Sequence, residues 1–354
     1  MNKQNILALA LKPAMRVTRS AGIGIVLMLA AALAIITPSA VSAPPPCEGP
    51  TATRLVTGLQ GASGSTIGPD GALYVTEGAA GRISRVDPLT GEVTTFASGL
   101  PPSIIGIGGA IDVAFIDNIA YALVTLVGSQ FGTSDVVGIY RVDPPDSFTV
   151  VADIGAFNVA NPPTIPFEIA VPTGLQFALQ TYRGGFLVTD GHLNRVLRVT
   201  LDGEITVFIA FDNIVPTGLE VRGNTVYMAE AGPVPHLPQN GKVVSFGPKS
   251  PTATEVASGA PLLVDVEFGG GGRLYALSQG DFPVGSPPAT PAHPNTGSLV
   301  KVNGDGTFNV ITDALDRPTS LEFIGNSAYV VTLTGEIWKI DGVAEAFPKK
   351  PRFR

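Results

Sequence analysis

The chain repeats one short pattern six times, and the sixth copy stops one strand short. Each copy opens with an apolar run after a small or acidic residue. A tight turn follows, then a run of the type Leu-Tyr-Val, a connection of variable length, a run ending near Arg-Val-Asp, a turn, and a last β-branched run. The opening runs start at Gly64, Asp112, Gly174, Gly218, Asp265 and Ser320, at spacings of 48, 62, 44, 47 and 55 residues. Periods of this size belong to repeat architectures. The second and fourth residues of each run are mostly large and apolar, as in Val266/Phe268 and Leu321/Phe323, which is the period of a strand. With 42 Gly and 31 Pro in 354 residues, turns are frequent and long helices are not expected.

Four antiparallel runs per copy, repeated radially, predict a β-propeller. The sixth copy ends after its third run, at Ile340-Asp341. Its missing fourth run is found at the other end, over Thr53–Leu59. An open solenoid needs polar capping repeats at both ends. Here the ends complete each other, and the borrowed strand covers an edge that would otherwise recruit other chains. The sequence therefore predicts an all-β chain: a six-bladed propeller over 53–344, closed by its N-terminal strand.

Residues 1–42 read as a secretory signal. Lys3, Lys12, Arg16 and Arg19 precede an apolar stretch from Ala21 to Ile36, then small residues around Ala40 and Ser42. Cleavage after Ser42 is expected, giving a secreted or periplasmic protein with no later membrane span. A Pro-rich leader, 43–52, carries the lone Cys47, so no internal disulfide is possible. Loss of the signal removes four of 22 cations and none of 29 acids, leaving 18 against 29 and a net charge of −11. The only clustered cations are Lys349, Lys350, Arg352 and Arg354, in a basic tail over 345–354. Such a surface is unsuited to nucleic acid, which needs clustered cations to track phosphates.

The long connections are Leu126–Val137, Ala231–Asn240 and Gln279–Thr296, between second and third runs, and Pro101–Ala110 and Phe157–Val171, between blades. In an up-and-down blade these two classes emerge on one face. That loop-rich face is the expected site of function, with a protein, a glycan or a small molecule as its partner. Candidate binding residues there are Glu77, Asp112, Asp190, Glu230 and Asp265, with His192, His236 and His293. Asp112 and Asp265 fall in blades two and five, opposite each other in a six-fold ring. With Glu77 they form a candidate oxygen-ligand set for Ca²⁺ at the channel mouth; the competing reading is that such groups cap strand ends. Glu220, Glu267 and Glu322 recur at one first-run position, with Gln176 aligned to them, and are expected to line the channel or to serve the repeat's structure. No zinc-type histidine spacing and no nucleophile elbow occurs.

Gly-Pro-Asp-Gly-Ala-Leu-Tyr-Val-Thr-Glu at 68–77, Arg-Ile-Ser-Arg-Val-Asp-Pro at 82–88 and Pro-Thr-Gly-Leu at 172–175 and 216–219, behind a signal sequence, resemble the ScyD/ScyE family of exported propellers. More distantly the repeats look like NHL and gluconolactonase-like propellers. The gluconolactonase-like group holds a metal in its channel with acidic and Asn ligands. The resemblance thus implies two open functions. One is a non-catalytic binding scaffold. The other is a metal-dependent hydrolase or lyase using rim carboxylates, with His236 or His293 as a base.

Overall fold

The computed structural model describes residues 49–164, 171–250 and 252–343. The expected signal, most of the leader with Cys47, and the basic tail lie outside the described residues.

The chain forms six four-stranded antiparallel sheets. After strand β1 (Thr51–Val56), blade one comprises β2 (Ala62–Ile67), β3 (Leu73–Glu77), β4 (Arg82–Val86) and β5 (Val93–Ser98). Blade two comprises β6 (Gly109–Ile116), β7 (Ile119–Thr125), β8 (Gly138–Asp143) and β9 (Ser147–Asp153). A short helix, α1 (Ile154–Ala160), follows, capped by Asp153, whose side chain accepts the N–H of Ala156. Blade three is β10 (Gln176–Tyr182), β11 (Gly185–Asp190), β12 (Arg195–Thr200) and β13 (Ile205–Ala210). Blade four is β14 (Pro216–Arg222), β15 (Thr225–Glu230), β16 (Lys242–Phe246) and β17 (Thr254–Ser258). Blade five is β18 (Leu263–Gly269), β19 (Arg273–Ser278), β20 (Gly297–Val302) and β21 (Phe308–Leu315). Blade six has three strands of its own, β22 (Pro318–Ile324), β23 (Ser327–Thr332) and β24 (Ile337–Asp341).

Its fourth strand is β1, paired antiparallel to β24 with Thr51 opposite Asp341 and Arg54 opposite Trp338. Closure by the N-terminal strand is as expected, but the strand starts at Thr51 and ends at Val56. Leu59 leaves the sheet and donates its N–H to the Gly335 carbonyl at 3.1 Å. The six inner strands β2, β6, β10, β14, β18 and β22 neighbour one another in a closed ring.

Each blade buries its faces against the next, which explains the aromatic that recurs in the second strand. Tyr74 packs edge-on to Phe115 at 4.8 Å, Tyr227 to Phe268 at 5.1 Å, and Tyr275 tilts onto Phe323 at 4.9 Å. Edge-to-face geometry suits the ring quadrupoles. The Tyr329 hydroxyl closes the circle, donating to the Pro88 carbonyl of blade one at 2.9 Å. With one cysteine in the chain, these interblade layers hold the wheel together.

Every inner strand carries a β-bulge near its start, as between Ala110 and Asp112 in β6 and between Leu263 and Asp265 in β18. A bulge bends its strand and re-aims the next side chain. One face gathers the second-to-third-strand and interblade connections. Gly78 donates to Gly61, Gly191 to Leu175, Ala231 to Val215, Gln279 to Leu262 and Leu333 to Arg317, all at 2.9–3.0 Å.

Candidate functional site

A cavity of about 1130 Å³ opens on this loop-rich face and runs down the axis between all six inner strands. Its upper wall is apolar, with Ile105, Ile107, Leu126, Phe131 and Val234. It reaches down to Ile67 and Phe115 near the far ends of β2 and β6. Its wall contains no Lys or Arg among the described residues.

Strand register sets what faces the axis. Opposite the aromatic position of the second strand stand Thr66, Ala114, Gln180, Glu220, Glu267 and Glu322, one per blade. Glu220, Glu267 and Glu322 thus share one level, as their recurrence suggested. The blade-three member is Gln180, whose Nε2 donates to Glu220 Oε2 at 2.9 Å. Gln176 is instead buried beside Thr125 and Asp190. The misalignment has a clear cause. Pro172–Leu175 and Pro216–Leu219 match as sequence, but the turn at Arg183-Gly184 sets the register of β10, and it comes four residues later than the matching motif implied.

Two residues nearer the rim stand Gly64, Asp112, Ala178, Gly218, Asp265 and Ser320. Asp112 and Asp265 lie in opposite blades, as expected, and each braces its neighbour. Asp112 Oδ2 accepts the Leu179 N–H of blade three at 2.7 Å, and Asp265 Oδ2 accepts the Leu321 N–H of blade six at 2.7 Å. Their Oδ1 atoms accept the N–H of Val113 and Val266, both at 2.8 Å. The preceding blade offers a glycine in both cases. A Cβ on Gly64 would lie 2.2 Å from Asp112 Oδ1, and one on Gly218 would lie 2.5 Å from Asp265 Oδ1.

These carboxyls are partly buried and sit deep in a channel hemmed in by six blades, where poor hydration disfavours their charged forms. Burial pushes Asp112 well above the usual carboxylate range despite its two N–H donors, and Asp265 adds to the effect. Burial pushes Asp265 up to about 7. Glu267 is driven well up by burial and then by the charges of Glu322, Glu220 and Asp265. Glu322 follows, through burial and then Asp265, Glu220 and Asp112. Glu220 is raised by burial. Four carboxyls thus line the channel, with Glu220 beside them, and each opposes ionisation of the others.

The expected rim residues fare differently. Glu77 is fully buried away from the cavity. Arg82 grips it with Nε on Oε1 and an Nη on Oε2, both at 2.8 Å, while Ser84 Oγ and the Gln60 N–H donate as well. Burial is the largest single effect and raises it; the bonds from Arg82, Ser84 and the Gln60 N–H, with the Arg82 charge, together outweigh burial and hold it below the usual range. Asp190 is also fully buried, bonded by Asn158, Gln176 and the N–H groups of Leu175 and Leu193. Burial nevertheless raises it. Glu230 is buried at the end of β15, and burial pushes it up to about 7. None of these three lines the cavity. The proposed Ca²⁺ set of Glu77, Asp112 and Asp265 is not brought together, since each is engaged by protein donors in a different blade. Among the described residues no group of three or more His, Cys, Asp or Glu is placed to hold a metal ion.

His192 and His236 line the cavity; His293 is exposed and does not. The Val171 N–H donates to His192 Nε2 at 3.2 Å, and burial lowers that imidazole's pKa. His236 is only 7% exposed. Its Nδ1 lies 2.7 Å from the Gly232 carbonyl and 3.3 Å from that of Ala231, so Nδ1 carries the proton. Its ring packs edge-on against Phe282 at 5.1 Å. Burial holds its pKa below the usual imidazole value. The neutral ring leaves Nε2 as a lone-pair acceptor with no partner among the described residues.

No family model matches the chain, and no curated protein matches it by sequence. Solved structures do match its fold. One is the PQQ-bound aldose sugar dehydrogenase of Streptomyces coelicolor, at 16% identity and TM-score 0.55, over 82% of this chain and 98% of that one. Another is a gluconolactonase of Xanthomonas campestris, at 12% identity and TM-score 0.55, over 82% of this chain and 89% of that one. At such identities the likeness shows the propeller fold, shared with gluconolactonase-like and dehydrogenase-like enzymes, and nothing finer.

Proposed function

We propose that this chain is an exported, non-catalytic binding propeller of the ScyD/ScyE type that takes a small molecule into its axial cavity. The observation that carries the reading is the cavity itself. It is about 1130 Å³, opens on the face that holds the long connections, and joins an apolar upper wall to polar groups from Asp112, Gln180, Asp265, Glu267 and Glu322 deeper in the channel. Concave sites with mostly apolar walls and a few convergent polar groups are the usual form of small-molecule sites. Among the described residues no helix is long and apolar enough to cross a membrane. Export, the cleaved signal and secreted or periplasmic residence belong to the same proposal. They are checked by the mass of the mature N-terminus, expected to begin at Ala43.

The test uses N-phenyl-1-naphthylamine, an uncharged fluorescent probe. The protein is expected to bind it at one site, and Ala178→Trp, which fills the channel wall, is expected to abolish binding. Enhancement that survives Ala178→Trp would remove the cavity from the reading. His236 supports a second reading, a hydrolase or lyase, because its neutral Nε2 can act as a general base. The metal-dependent form of that reading does not fit the residues present. Hydrolysis of a sugar lactone that is lost in His236→Gln would favour the enzyme.

A further inference from the structure

We infer that the cavity is selective for an organic cation, an ammonium group carried on an apolar body; this rests on the small-molecule reading above and specifies it. Four carboxyl side chains line the cavity, from Asp112, Asp265, Glu267 and Glu322, and no Lys or Arg does. Asp112 and Asp265 are partly occupied by backbone N–H donors. Glu267 and Glu322 stand in adjacent blades at one level; the Glu267 carboxyl takes the N–H of its chain neighbour Phe268, and Glu322 accepts no hydrogen bond at its side chain from any described residue. An acidic channel wall can be a by-product of a repeat. A second, independent feature points to a ligand: His236 is 93% buried by its 7% exposure, lines the same cavity, and presents an unpartnered acceptor at Nε2. A carboxyl pair that ionises beside a cation and a lone imidazole acceptor all receive hydrogen bonds. An ammonium offers only donors and a positive charge.

The surroundings reinforce the sign. His192 is neutral and already accepts the Val171 N–H, so it supplies no counter-charge. Gln180 donates to Glu220, not to Glu267 or Glu322. Arg222 stacks on Phe268 at 4.7 Å and binds the Gly272 carbonyl, away from the cavity wall. Burial and mutual repulsion oppose ionisation of these carboxyls, and a cation entering the low-dielectric channel favours it, so the cluster supplies its counter-charge as the ligand binds. A metal ion is the other cation to consider. Among the described residues no three ligating groups converge as a metal requires. The apolar wall at Ile105, Ile107, Phe131 and Val234 asks for a hydrocarbon body, which an inorganic ion lacks.

Three probes of one shape separate the possibilities: 4-phenylbutylamine, 4-phenylbutanol and 4-phenylbutyrate, titrated calorimetrically into the mature protein near neutral pH, with CaCl₂ as a fourth. The amine is expected to bind at least about tenfold more tightly than the alcohol, a gap of about 1.4 kcal/mol. The acid is expected to be weakest. Amine binding should release protons, seen as a heat that varies with buffer ionisation enthalpy, because the cation favours ionised Glu267 and Glu322. The Glu267→Gln/Glu322→Gln double variant is expected to bring the amine-to-alcohol affinity ratio to within about twofold of one. Equal binding of amine and alcohol, or an amine affinity unchanged in the double variant, overturns the inference and leaves the small-molecule reading standing. Binding of Ca²⁺ in preference to the amine also overturns it. Binding of none of the three organic probes at millimolar concentration overturns the small-molecule reading and this inference together.

Discussion

Replacing Glu77 by Gln separates a structural carboxylate from a metal ligand. Glu77 is fully buried, and Arg82 reaches it with two nitrogens while keeping 30% of its own side chain exposed. Removing one partner of a fully buried pair costs about 3–5 kcal/mol, because the other charge is stranded. Arg82 is partly wet and can recover some hydration, so about 2–4 kcal/mol is expected. The amide also sets a donor beside the Arg82 guanidinium, the Gln60 N–H or Ser84, all of them now donors. For a propeller of this size each kcal/mol moves Tm by about 2 °C, which gives a fall of about 4–8 °C. Urea unfolding followed by tryptophan fluorescence from Trp338 and by circular dichroism gives the free energy independently. The loss should be the same with calcium and with chelator. It should also shrink on acidification. The folded pKa of Glu77 lies below its unfolded value, so its contribution is complete above the unfolded value near 4.5 and disappears as pH falls through the folded one. A Glu77→Gln variant as stable as the parent, with calcium affinity abolished, would refute the reasoning and restore Glu77 as a ligand.

Three further outcomes are expected. Deleting residues 49–59 removes β1 from blade six, bares the edge of β24 and exposes the pocket of buried Val56 and Leu59; size-exclusion chromatography should show aggregation, or calorimetry a loss of the single cooperative transition, and a variant that melts like the parent would break the closure argument. Gly64→Ala places a methyl 2.2 Å from Asp112 Oδ1 and 2.6 Å from the Ile111 carbonyl; overpacking at such a site costs about 1–3 kcal/mol, read by urea unfolding, whereas the same change at Gly71, which has open space around it but a positive φ of 79°, should cost about 1 kcal/mol through backbone strain alone. Between about pH 4 and pH 7 stability should fall as pH rises, because Asp265 and Glu230, each pushed up to about 7, hold protons in the folded state that the unfolded chain has released; Glu267→Gln/Glu322→Gln should raise Tm at neutral pH and flatten that slope.

The ring, its six blades and its closure by Thr53–Val56 were legible because strand period and repeat spacing are local properties, written into consecutive residues. So were the loop-rich face and the opposition of Asp112 and Asp265, since both follow from blade count and strand order. The aromatic of the second strand, from Tyr74 to Tyr329, was also readable as an interblade layer. What local pattern could not supply was register and orientation. Gln176 and Gln180 both sit in a plausible strand context, and only the pairing of β10 with β11 shows which of them reaches the axis. Glu77, Asp190 and Glu230 end their strands at the rim, as the sequence suggested. Whether a carboxylate turns to the axis or into its own blade depends on the donors around it, and Arg82 and Asn158 decide that for two of them. The protonation of His236 likewise rests on two carbonyls of its own loop, a relation that exists only once the chain has folded. Sequence alone determined the wheel, because its strands and turns are encoded residue by residue. Tertiary structure alone decided the character of its hollow, because charge, burial and hydrogen bonding at the axis arise from blades that meet there out of sequence order.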